Sequence, residues 1–379
     1  MMRNQEEDEE IICRIAASML RNIDARLLVE LDTRDVPLTD FMKGDDVMFR
    51  SITGFNPPPN LTASARYQAL QRAGEELLFI RRHNIRILWI TEAEYPLRLE
   101  QISGPPPLLY MLGTCDLNSG HPVSMVGTRR MTPYGAEMTR RLTADLAASF
   151  PDLLVVSGLA FGVDAVSHTT ALEAGVRTVA VVAHGLDMIY PAQHRDLAKR
   201  IIKAGGAIIS QYPSGTKPFR NNFLERNRIV AGMSDAIVVT ESDLKGGAMS
   251  TARHAFEADR AVLAVPGRTT DQISAGCNNL IRMQRATICT SAEDIMNDAC
   301  WEAPAKDSDA TPQRSLFPEL GEEAALICDS LRNSSDPLQL DAIVHATGLP
   351  INVVMSQLGE LEFDGVVLRH PGNRYSLIG

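Results

Sequence analysis

Short apolar runs recur at regular intervals through the middle of the chain, and longer stretches of mixed polar and apolar residues separate them. The runs are rich in Val and Ile and apolar at consecutive positions, which is typical of parallel strands buried on both faces. The pattern predicts six strands, at 122–126, 153–157, 178–183, 207–210, 236–240 and 261–265.

The stretches between these runs predict helices, including one at 225–233. Three of the predicted helices run into glycine, a common helix stop, at Gly175, Gly205 and Gly232. Strands that alternate with crossover helices predict an α/β fold with a doubly wound, mostly parallel, Rossmann-like sheet.

The flanking regions have different patterns. Residues 1–70 predict a small helical domain with no clear core signature. Residues 71–300 then form the extended Rossmann-like domain, which first holds a helix, a strand at 85–90 and a proline-rich extended connection into the sheet. Residues 301–318 have the composition of a linker.

Residues 319–379 predict a winged-helix-like domain. Helices are expected at 322–332, 338–346 and 351–363, followed by a β-hairpin around Pro371. The third helix and its end carry Glu360, Glu362 and Asp364 and no Lys or Arg, so this helix is not expected to read duplex DNA.

Charge is distributed unevenly along the 379 residues. The net charge of −10 argues against nucleic acid, but residues 122–300 hold 19 Lys and Arg against 17 Asp and Glu, and the acidity lies at both ends. No apolar run is long enough for a membrane span, and the five acids in the first ten residues are unlike a leader. The six scattered cysteines predict reduced thiols in a cytoplasm, and neither a metal nor another cofactor is expected.

Five polar, glycine-rich loops follow the predicted strands, and in a parallel sheet they open on one rim, where ligands bind. The first loop, GTRRMTPYG, turns at Gly127 but lacks the second glycine of a dinucleotide loop and places Arg129 and Arg130 there instead. An arginine fork can hold a phosphodiester, and the helix predicted to start near Pro133 would point free N–H groups at the rim. An internal ion pair is the alternative for Arg129.

The second loop, SGLAFGVDAVSH, supplies Ser157 and Gly158, followed by Asp164 and His168. A catalytic interpretation makes Asp164 or His168 a general base. The favoured interpretation is structural, with Asp164 capping a helix start and His168 packed beneath it.

The segment FLERNRIV places Arg226, Asn227 and Arg228 where a helix is expected to begin. Cations are disfavoured there by the helix dipole, which suggests a bound anion or a strong internal ion pair. Phe219 and Phe223 could stack a base or belong to the core.

The segment LKGGAMSTA adds Lys245, Gly246 and Gly247 at another helix start, with the hydroxyls of Ser250 and Thr251. It lacks the spacing of a P-loop, so nucleotide hydrolysis has no support.

From about Ile85 to Ala299 the chain resembles the DNA-processing protein A family (DprA, also called Smf). Eight motifs carry the resemblance in chain order: YPLRLEQISGPPPLLYMLG, VGTRRMTPYG, SGLAFGVDAVSH, GLDMIYP, FLERNRIVAGMSDAIVV, GGAMSTA, AVPG and SAGCNNLI. The acidic closing domain is similar to that family's C-terminal winged helix. The N-terminal helices resemble its sterile-alpha-motif-like or helix-hairpin domain more loosely.

The resemblance implies a non-catalytic, single-stranded DNA-binding protein of natural transformation and recombination. It implies protection of incoming strands, help in loading the RecA recombinase, and a homodimer. It also implies that Arg129 contacts DNA and that Arg226, Arg228 and Lys245 line the same rim. Together with the loop analysis, the expected DNA-binding set is Gly127, Arg129, Arg130, Ser157, Gly158, Arg195, Phe223, Arg226, Asn227, Arg228, Lys245, Gly246 and Gly247.

Two positions depart from the family pattern. Ala192 stands where some members place a lysine after YP, with His194 and Arg195 beyond it, and Phe161 stands at an often basic position before GVD. Both departures suggest a weaker electrostatic footprint, or compensation from Arg130 and Arg195.

Two other functions stay open at this point. The glycine-rich rim could hold a nucleotide, as in Rossmann-like nucleoside phosphoribohydrolases, with Asp164, His168 or Asp187 in acid–base roles. No convergent catalytic pair supports that hydrolase. A RecA-binding adaptor without DNA contact would leave the rim arginines unexplained.

Overall fold

The computed structural model of the chain describes residues 2–21, 23–118, 120–302, 321–334 and 336–378. The linker expected at 301–318 falls almost entirely between residues 303 and 320, outside the described residues. Within the described ranges, no helix combines the length and the apolar character needed to cross a membrane.

The six predicted strands form the centre of a nine-stranded sheet. Its order is β1-β2-β6-β5-β4-β3-β7-β8-β9, and the pairings from β6 to β9 are all parallel, which confirms the doubly wound fold. The strands are β1 (Arg86–Trp89), β2 (Leu108–Gly113), β3 (His121–Gly127), β4 (Leu153–Ser157), β5 (Arg177–Val181), β6 (Ala207–Ser210), β7 (Ala236–Thr240), β8 (Ala261–Ala264) and β9 (Thr287–Ile288).

Strand β2 is a correction to the sequence analysis, which treated that segment as an extended connection. It pairs antiparallel with β6 on one side and with β1 on the other. An extended, proline-flanked segment has the local geometry of a strand whether or not it is paired. Only the neighbouring strand, distant in sequence, makes it part of the sheet.

The N-terminal helices share one hydrophobic core with this antiparallel edge. Cys13, Phe41 and Phe49 pack in the same cluster as Trp89 of β1 and Tyr110 of β2. The sequence of this region shows no core signature of its own because part of the core comes from the sheet. The helices are α1 (Met2–Met19), α2 (Ala25–Thr33), α3 (Leu38–Lys43), α4 (Asp46–Thr53) and α5 (Ala63–Arg82), and the short α6 (Leu97–Glu100) lies between β1 and β2.

Helices cover both faces of the sheet. Ile229 and Ala252 pack with Val181 against one face, and Leu142 packs with Val238 against the other. The helices are α7 (Pro133–Ser149), α8 (Val163–Glu173), α9 (Arg195–Lys203), α10 (Arg220–Gly232), α11 (Gly247–Glu257), α12 (Ala275–Arg282) and α13 (Ala292–Asp298).

The chain direction across the sheet changes beside β3. The chain runs from β3 outward through β4, β5 and β6, and it then returns past β3 to form β7 and β8. Strands β3 and β7 are neighbours in register, with Gly127 opposite Thr240, and the loops that follow them lead to different helices. Such a switch point at the carboxyl ends of parallel strands leaves a crevice where ligands bind.

The C-terminal region is a winged helix, as expected. Helices α14 (Glu322–Arg332), α15 (Leu340–Thr347) and α16 (Ile351–Phe363) pack against a small sheet of order β10-β12-β11, formed by β10 (Leu338–Gln339), β11 (Val367–His370) and β12 (Arg374–Leu377). Gly372 and Asn373 both have positive φ, at 81° and 52°, as the tight turn of a hairpin requires. The hairpin lies against the Rossmann-like domain, where the N–H of Gly372 donates to the carbonyl of Asp259 at 2.9 Å.

Candidate nucleic-acid interface

A cleft of about 680 Å³ lies at the switch point between β3 and β7, and we call it the switch-point cleft. The loops after β3, β4 and β7 and the first turns of α10 and α11 form its walls. The charged and aromatic residues that line it are Arg129, Arg130, Asp164, Arg220, Phe223, Arg226, Asp243 and Lys245.

The loop after β3 is held tightly by its neighbours. A Cβ on Gly127 would lie 2.0 Å from the carbonyl oxygen of Thr240, so this glycine permits close packing of β3 against β7. The N–H of Thr128 donates to the carbonyl of Glu241 at 2.7 Å. This bracing fixes the backbone from which Arg129 and Arg130 extend into solvent.

The first turn of α7 differs from the expectation that its N–H groups would face the rim unused. The N–H of Thr132 donates to a carboxylate oxygen of the buried Glu241 at 2.8 Å, and the N–H of Gly135 donates to the hydroxyl of Thr132 at 3.2 Å. The helix start is therefore capped by the protein itself. The expectation is wrong for these two amides. Thr132 accepts from Gly135 locally, and Glu241, which follows β7 and is distant in the sequence, accepts from Thr132.

Arg129 is an exposed cation that lines the cleft. Its guanidinium carbon lies 5.2 Å from the ring centroid of Phe223, within cation–π range. None of the ion pairs found among the described residues involves Arg129. The internal ion pair considered as the alternative for this residue is therefore not found within the described ranges, and Arg129 lines the cleft.

Helix α10 begins at Arg220, earlier than the sequence predicted. Arg226, Asn227 and Arg228 therefore lie in the helix interior, and the inference drawn from cations at a helix start is wrong. The exposed Arg220 occupies the first helical position instead and lines the cleft, which the sequence analysis missed. Pro218 was the available signal, since proline is tolerated at a helix start and not inside a helix.

Arg226 forms the floor of the cleft rather than its wall. Only 5% of the residue is exposed, and it donates to the carbonyl of Val181 at 2.6 Å. Burial lowers the pKa of its guanidinium, and the carboxylate of Asp164 opposes that shift. A Cβ on Gly158 would lie 1.8 Å from the Arg226 side chain, so this glycine makes room for the buried guanidinium.

The side chains proposed for acid–base catalysis all have structural partners. Asp164 accepts from the N–H groups of Gly158 and Ala160 at 3.1 and 3.2 Å, and it caps this loop rather than its own helix. His168 is fully buried beside Thr178, and burial lowers its pKa to about 3. An imidazole with that pKa and no solvent access is poorly suited to general-base work near pH 7.

The third candidate for acid–base work, Asp187, accepts from the N–H of Gly215 at 2.9 Å. Neither His168 nor Asp187 lines the switch-point cleft. Among the described residues there is also no group of three or more His, Cys, Asp or Glu side chains arranged to hold a metal ion.

The start of α11 offers polar groups to the cleft. Gly246 is the N-cap and provides no side-chain cap, so the first amides of the helix have no side-chain acceptor. A Cβ on Gly247 would meet nothing within 4 Å, and the buried hydroxyl of Ser250 has no hydrogen-bond partner. Lys245 is exposed beside this helix end, and its backbone is held by the carboxylate of Asp243 at 2.9 Å.

Charge in the cleft is predominantly positive. Five cationic side chains line it, against the two carboxylates of Asp164 and Asp243. Four of the cations, namely Arg129, Arg130, Arg220 and Lys245, are exposed. A concave surface with this excess attracts a polyanion such as a nucleic-acid backbone.

Three of the thirteen expected DNA-binding residues do not line the cleft. Ser157 is buried and its hydroxyl donates to the carbonyl of Met125 at 2.6 Å. Arg228 donates to the carbonyl of Gly104 and to the side chain of Gln211, and Arg195 is exposed at the start of α9. The other ten do line it, namely Gly127, Arg129, Arg130, Gly158, Phe223, Arg226, Asn227, Lys245, Gly246 and Gly247.

Two family models match the chain. The model described as DNA recombination-mediator protein A matches residues 86–300, and the DprA winged helix domain matches residues 302–373. The first match contains every residue of the switch-point cleft.

Relatives and solved structures agree with these matches. Protein Smf of Synechocystis is 35% identical over 327 residues, which is 77% of this chain and 80% of that protein. An X-ray structure of DNA processing protein A from Streptococcus pneumoniae has a TM-score of 0.64 at 28% identity and covers 76% of this chain and 97% of that one. The Helicobacter pylori protein, described for its single-stranded DNA binding mode, has a TM-score of 0.51 at 31% identity over 56% of this chain and 94% of that one.

Proposed function

Because the chain belongs to the DNA recombination-mediator protein A family, we propose that its switch-point cleft binds the phosphate backbone of single-stranded DNA. The observation that carries this proposal is Arg129, an exposed guanidinium that lines the cleft and that none of the described carboxylates pairs with. The structural relative from Helicobacter pylori, which is described as binding single-stranded DNA, supports the choice of ligand.

The cleft suits a flexible, charged chain. Arg129, Arg130, Arg220 and Lys245 provide donors for phosphate oxygens, and arginine binds them in a bidentate fashion. The ring of Phe223 lies among them, and a base can stack on it when the Arg129 guanidinium, which lies over it in this structure, turns to a phosphate. Neither kind of contact reads base identity, so binding is expected to tolerate any sequence.

The wider role is also proposed from the family. The protein protects incoming single strands, helps to load the RecA recombinase on them during transformation and recombination, and carries out no chemistry of its own. It acts as a homodimer in the cytoplasm. The six free cysteines, five of them buried, support a reducing compartment.

Replacing Arg129 with Ala tests the cleft. The variant is expected to weaken binding to all single strands by about tenfold, roughly the 1.4 kcal/mol that corresponds to one order of magnitude. It should also reduce the slope of log affinity against log salt by about 0.7, since one phosphate is no longer neutralised. The matched control is Arg140→Ala, which removes an exposed arginine of α7 outside the cleft. Equal affinity of the wild type and Arg129→Ala in a fluorescence-anisotropy titration contradicts the proposal.

Two further assays address chemistry and RecA. Purified protein incubated with nucleoside monophosphates is expected to release no base, and release of free base would show a hydrolase instead. RecA assembly on a single-stranded oligonucleotide should be faster with wild-type protein than with Arg129→Ala. If both accelerate assembly equally, RecA loading does not act through this cleft.

A further inference from the structure

Two aromatic rings on loops near the cleft are open to solvent. Phe161 follows β4 and is 43% exposed, and Tyr190 follows β5 and is 44% exposed. Both lie on loops at the carboxyl ends of the parallel strands, the same edge as the switch-point cleft. Single exposed apolar residues are ordinary on a protein surface, so their surroundings decide whether they have a role.

Both rings adjoin the residues that surround Arg129. The Tyr190 ring lies 6.0 Å from the Phe223 ring at an interplanar angle of 61°. Gly162 follows Phe161, and a Cβ on Gly162 would lie 2.8 Å from the Cα of Arg129. The loop that carries Phe161 therefore packs against the backbone of Arg129. Tyr190 contacts the Phe223 ring, over which the Arg129 guanidinium lies.

Both loops are held in place by further contacts. The Phe161 ring meets the His194 ring edge-on at 4.8 Å, and Nδ1 of His194 is 2.8 Å from the carbonyl of Leu159. The N–H of Tyr190 donates to Nε2 of His184 at 3.1 Å. Rings that are already positioned lose little conformational entropy when a ligand binds.

Resting on the proposed function, we propose that bases of the bound strand stack on Phe161 and Tyr190, which we call the stacking shelf. A strand whose phosphates lie along Arg129 and Lys245 has bases that are free to turn toward the neighbouring loops. Every base presents a π-face, and stacking on an aromatic side chain contributes about 1–3 kcal/mol per base. Because the shelf residues carry no cation, their contribution is independent of salt, unlike that of the cleft.

The test compares two oligonucleotide probes of equal length, an oligodeoxythymidylate and an abasic backbone with the same phosphates. Wild-type protein is expected to bind the thymidylate at least about fivefold more tightly than the abasic strand. Phe161→Leu and Tyr190→Leu keep apolar bulk but remove the ring. Each should weaken thymidylate binding by about fivefold, with no change for the abasic strand and no change in salt slope. The conservative variants Phe161→Tyr and Tyr190→Phe should bind the thymidylate like wild type.

The outcomes separate the shelf from the cleft. Wild-type thymidylate affinity in both leucine variants overturns the shelf, and so does equal wild-type binding of the two probes. If Arg129→Ala still weakens both probes in that case, the cleft proposal stands without the shelf. If Arg129→Ala leaves both probes bound as before, the proposed function fails as well. Unchanged thermal unfolding of the leucine variants shows that these exposed positions were altered without loss of the fold.

Discussion

Two clefts of the described structure lie at opposite ends of the parallel strands, and their charges are opposite. The switch-point cleft at the carboxyl ends is lined by five cations and two carboxylates. A larger cleft of about 1140 Å³ lies near the amino ends, between the Rossmann-like domain and the winged helix. Its described lining has two arginines, Arg98 and Arg374, and seven carboxylates. The larger cleft is the more acidic one, so cleft volume is a poor guide to where a polyanion binds. The sign of the charge favours the smaller switch-point cleft.

Arginine has a different task in each cleft. In the amino-end cleft Arg98 binds the two carboxylate oxygens of Asp235 at 2.7 and 3.0 Å, and Arg374 of the winged helix binds the same carboxylate at 2.9 Å. Burial would raise the pKa of Asp235, but Arg98, Arg374 and Arg260 lower it below its ordinary value. This cluster joins two parts of the chain and leaves little charge for a ligand.

The comparison shows that the partner of an arginine, rather than its presence, indicates what it does. Arg129 and Arg220 have no carboxylate partner among the described residues and extend into the cleft. Arg226 lies in the same cleft but resembles the amino-end cluster, since it is buried beside Asp164 and donates to a backbone carbonyl. We therefore expect Arg226 to support the fold and the positive potential, and Arg129 to contact the ligand.

The largest effect is expected from Asp235→Ala. The substitution removes the buried carboxylate that two largely buried arginines, Arg98 and Arg374, share, and breaking a buried pair in this way costs about 3–5 kcal/mol. Urea unfolding should show the loss, while protein that is still folded should bind single strands normally. The matched control is Asp259→Asn, which removes the charge of a 55% exposed carboxylate that pairs with Arg369 at the same interface and keeps a residue suited to the positive φ of 54°. A loss as small as that of the control, below about 1 kcal/mol, would mean that the cluster is not a stabilising junction.

A second effect is the pH dependence of the free energy of unfolding, which reports on the buried His168 and not on the exposed cations of the cleft. The pKa of His168 is lowered to about 3 by burial, with His194 and Arg226 adding to the shift. Below about pH 6.5 His168 binds a proton in the unfolded chain but not in the native state. Its contribution to the free energy of unfolding is therefore fully present above that pH. Stability should then fall by about 1.4 kcal/mol per pH unit as the pH drops from 6.5 toward 3. A His168→Gln variant should show a shallower fall in urea unfolding at pH 7, 6 and 5. The same slope in both proteins would exclude His168 as the cause.

Two glycines in the switch-point cleft should respond differently to a methyl group. Gly158→Ala places a Cβ against the Arg226 guanidinium and is expected to cost about 1–3 kcal/mol of stability, as overpacking does. Gly247→Ala faces open space at a helix start and should change stability by less than about 0.5 kcal/mol. The larger Gly247→Leu should keep the stability but weaken single-strand binding, because its side chain occupies the cleft. Normal binding by Gly247→Leu would show that the bound single-stranded DNA does not contact the start of α11.

The smallest effect tests whether the N-terminal helices support the rim. Glu76 of α5 is buried and accepts from the N–H of Ser214 at 2.9 Å, in the loop that leads to α10. Glu76→Gln should weaken single-strand binding about two- to threefold, close to the value of one modest hydrogen bond. Glu75→Gln, at a neighbouring position that is 77% exposed, is the control. Identical affinities of the two variants in the anisotropy titration would show that the rim is independent of α5.

Most of the Rossmann-like domain could be predicted from the sequence because its signals are local. Consecutive apolar residues indicate a strand buried on both faces, and glycine after a periodic stretch indicates a helix end. The predicted helices at 322–332 and 351–363 have the same bounds in the structure. Ten of the thirteen candidate DNA-binding residues line one cleft because parallel strands bring their following loops to one edge.

The failures at β2, in the N-terminal core and at the start of α7 share a cause, which is that a contacting residue lies far away in the sequence. The start of α10 differs, because Pro218 gave a local signal there. Strand β2 became part of the sheet only through β6, and the N-terminal core includes Trp89 and Tyr110 of the edge strands. The amide of Thr132, at the start of α7, donates to Glu241, more than a hundred residues later.

The sequence by itself determined the fold class, the rim and four of the five cations that line the cleft, because strand burial and loop position follow from short-range patterns. Tertiary structure decided which of those cations are available to a ligand. Arg129 and Arg226 are both rim arginines in the sequence, yet one faces the cleft and the other is buried against Val181. That difference depends on which groups surround each guanidinium once the chain is folded, and desolvation and ion pairing are properties of that environment.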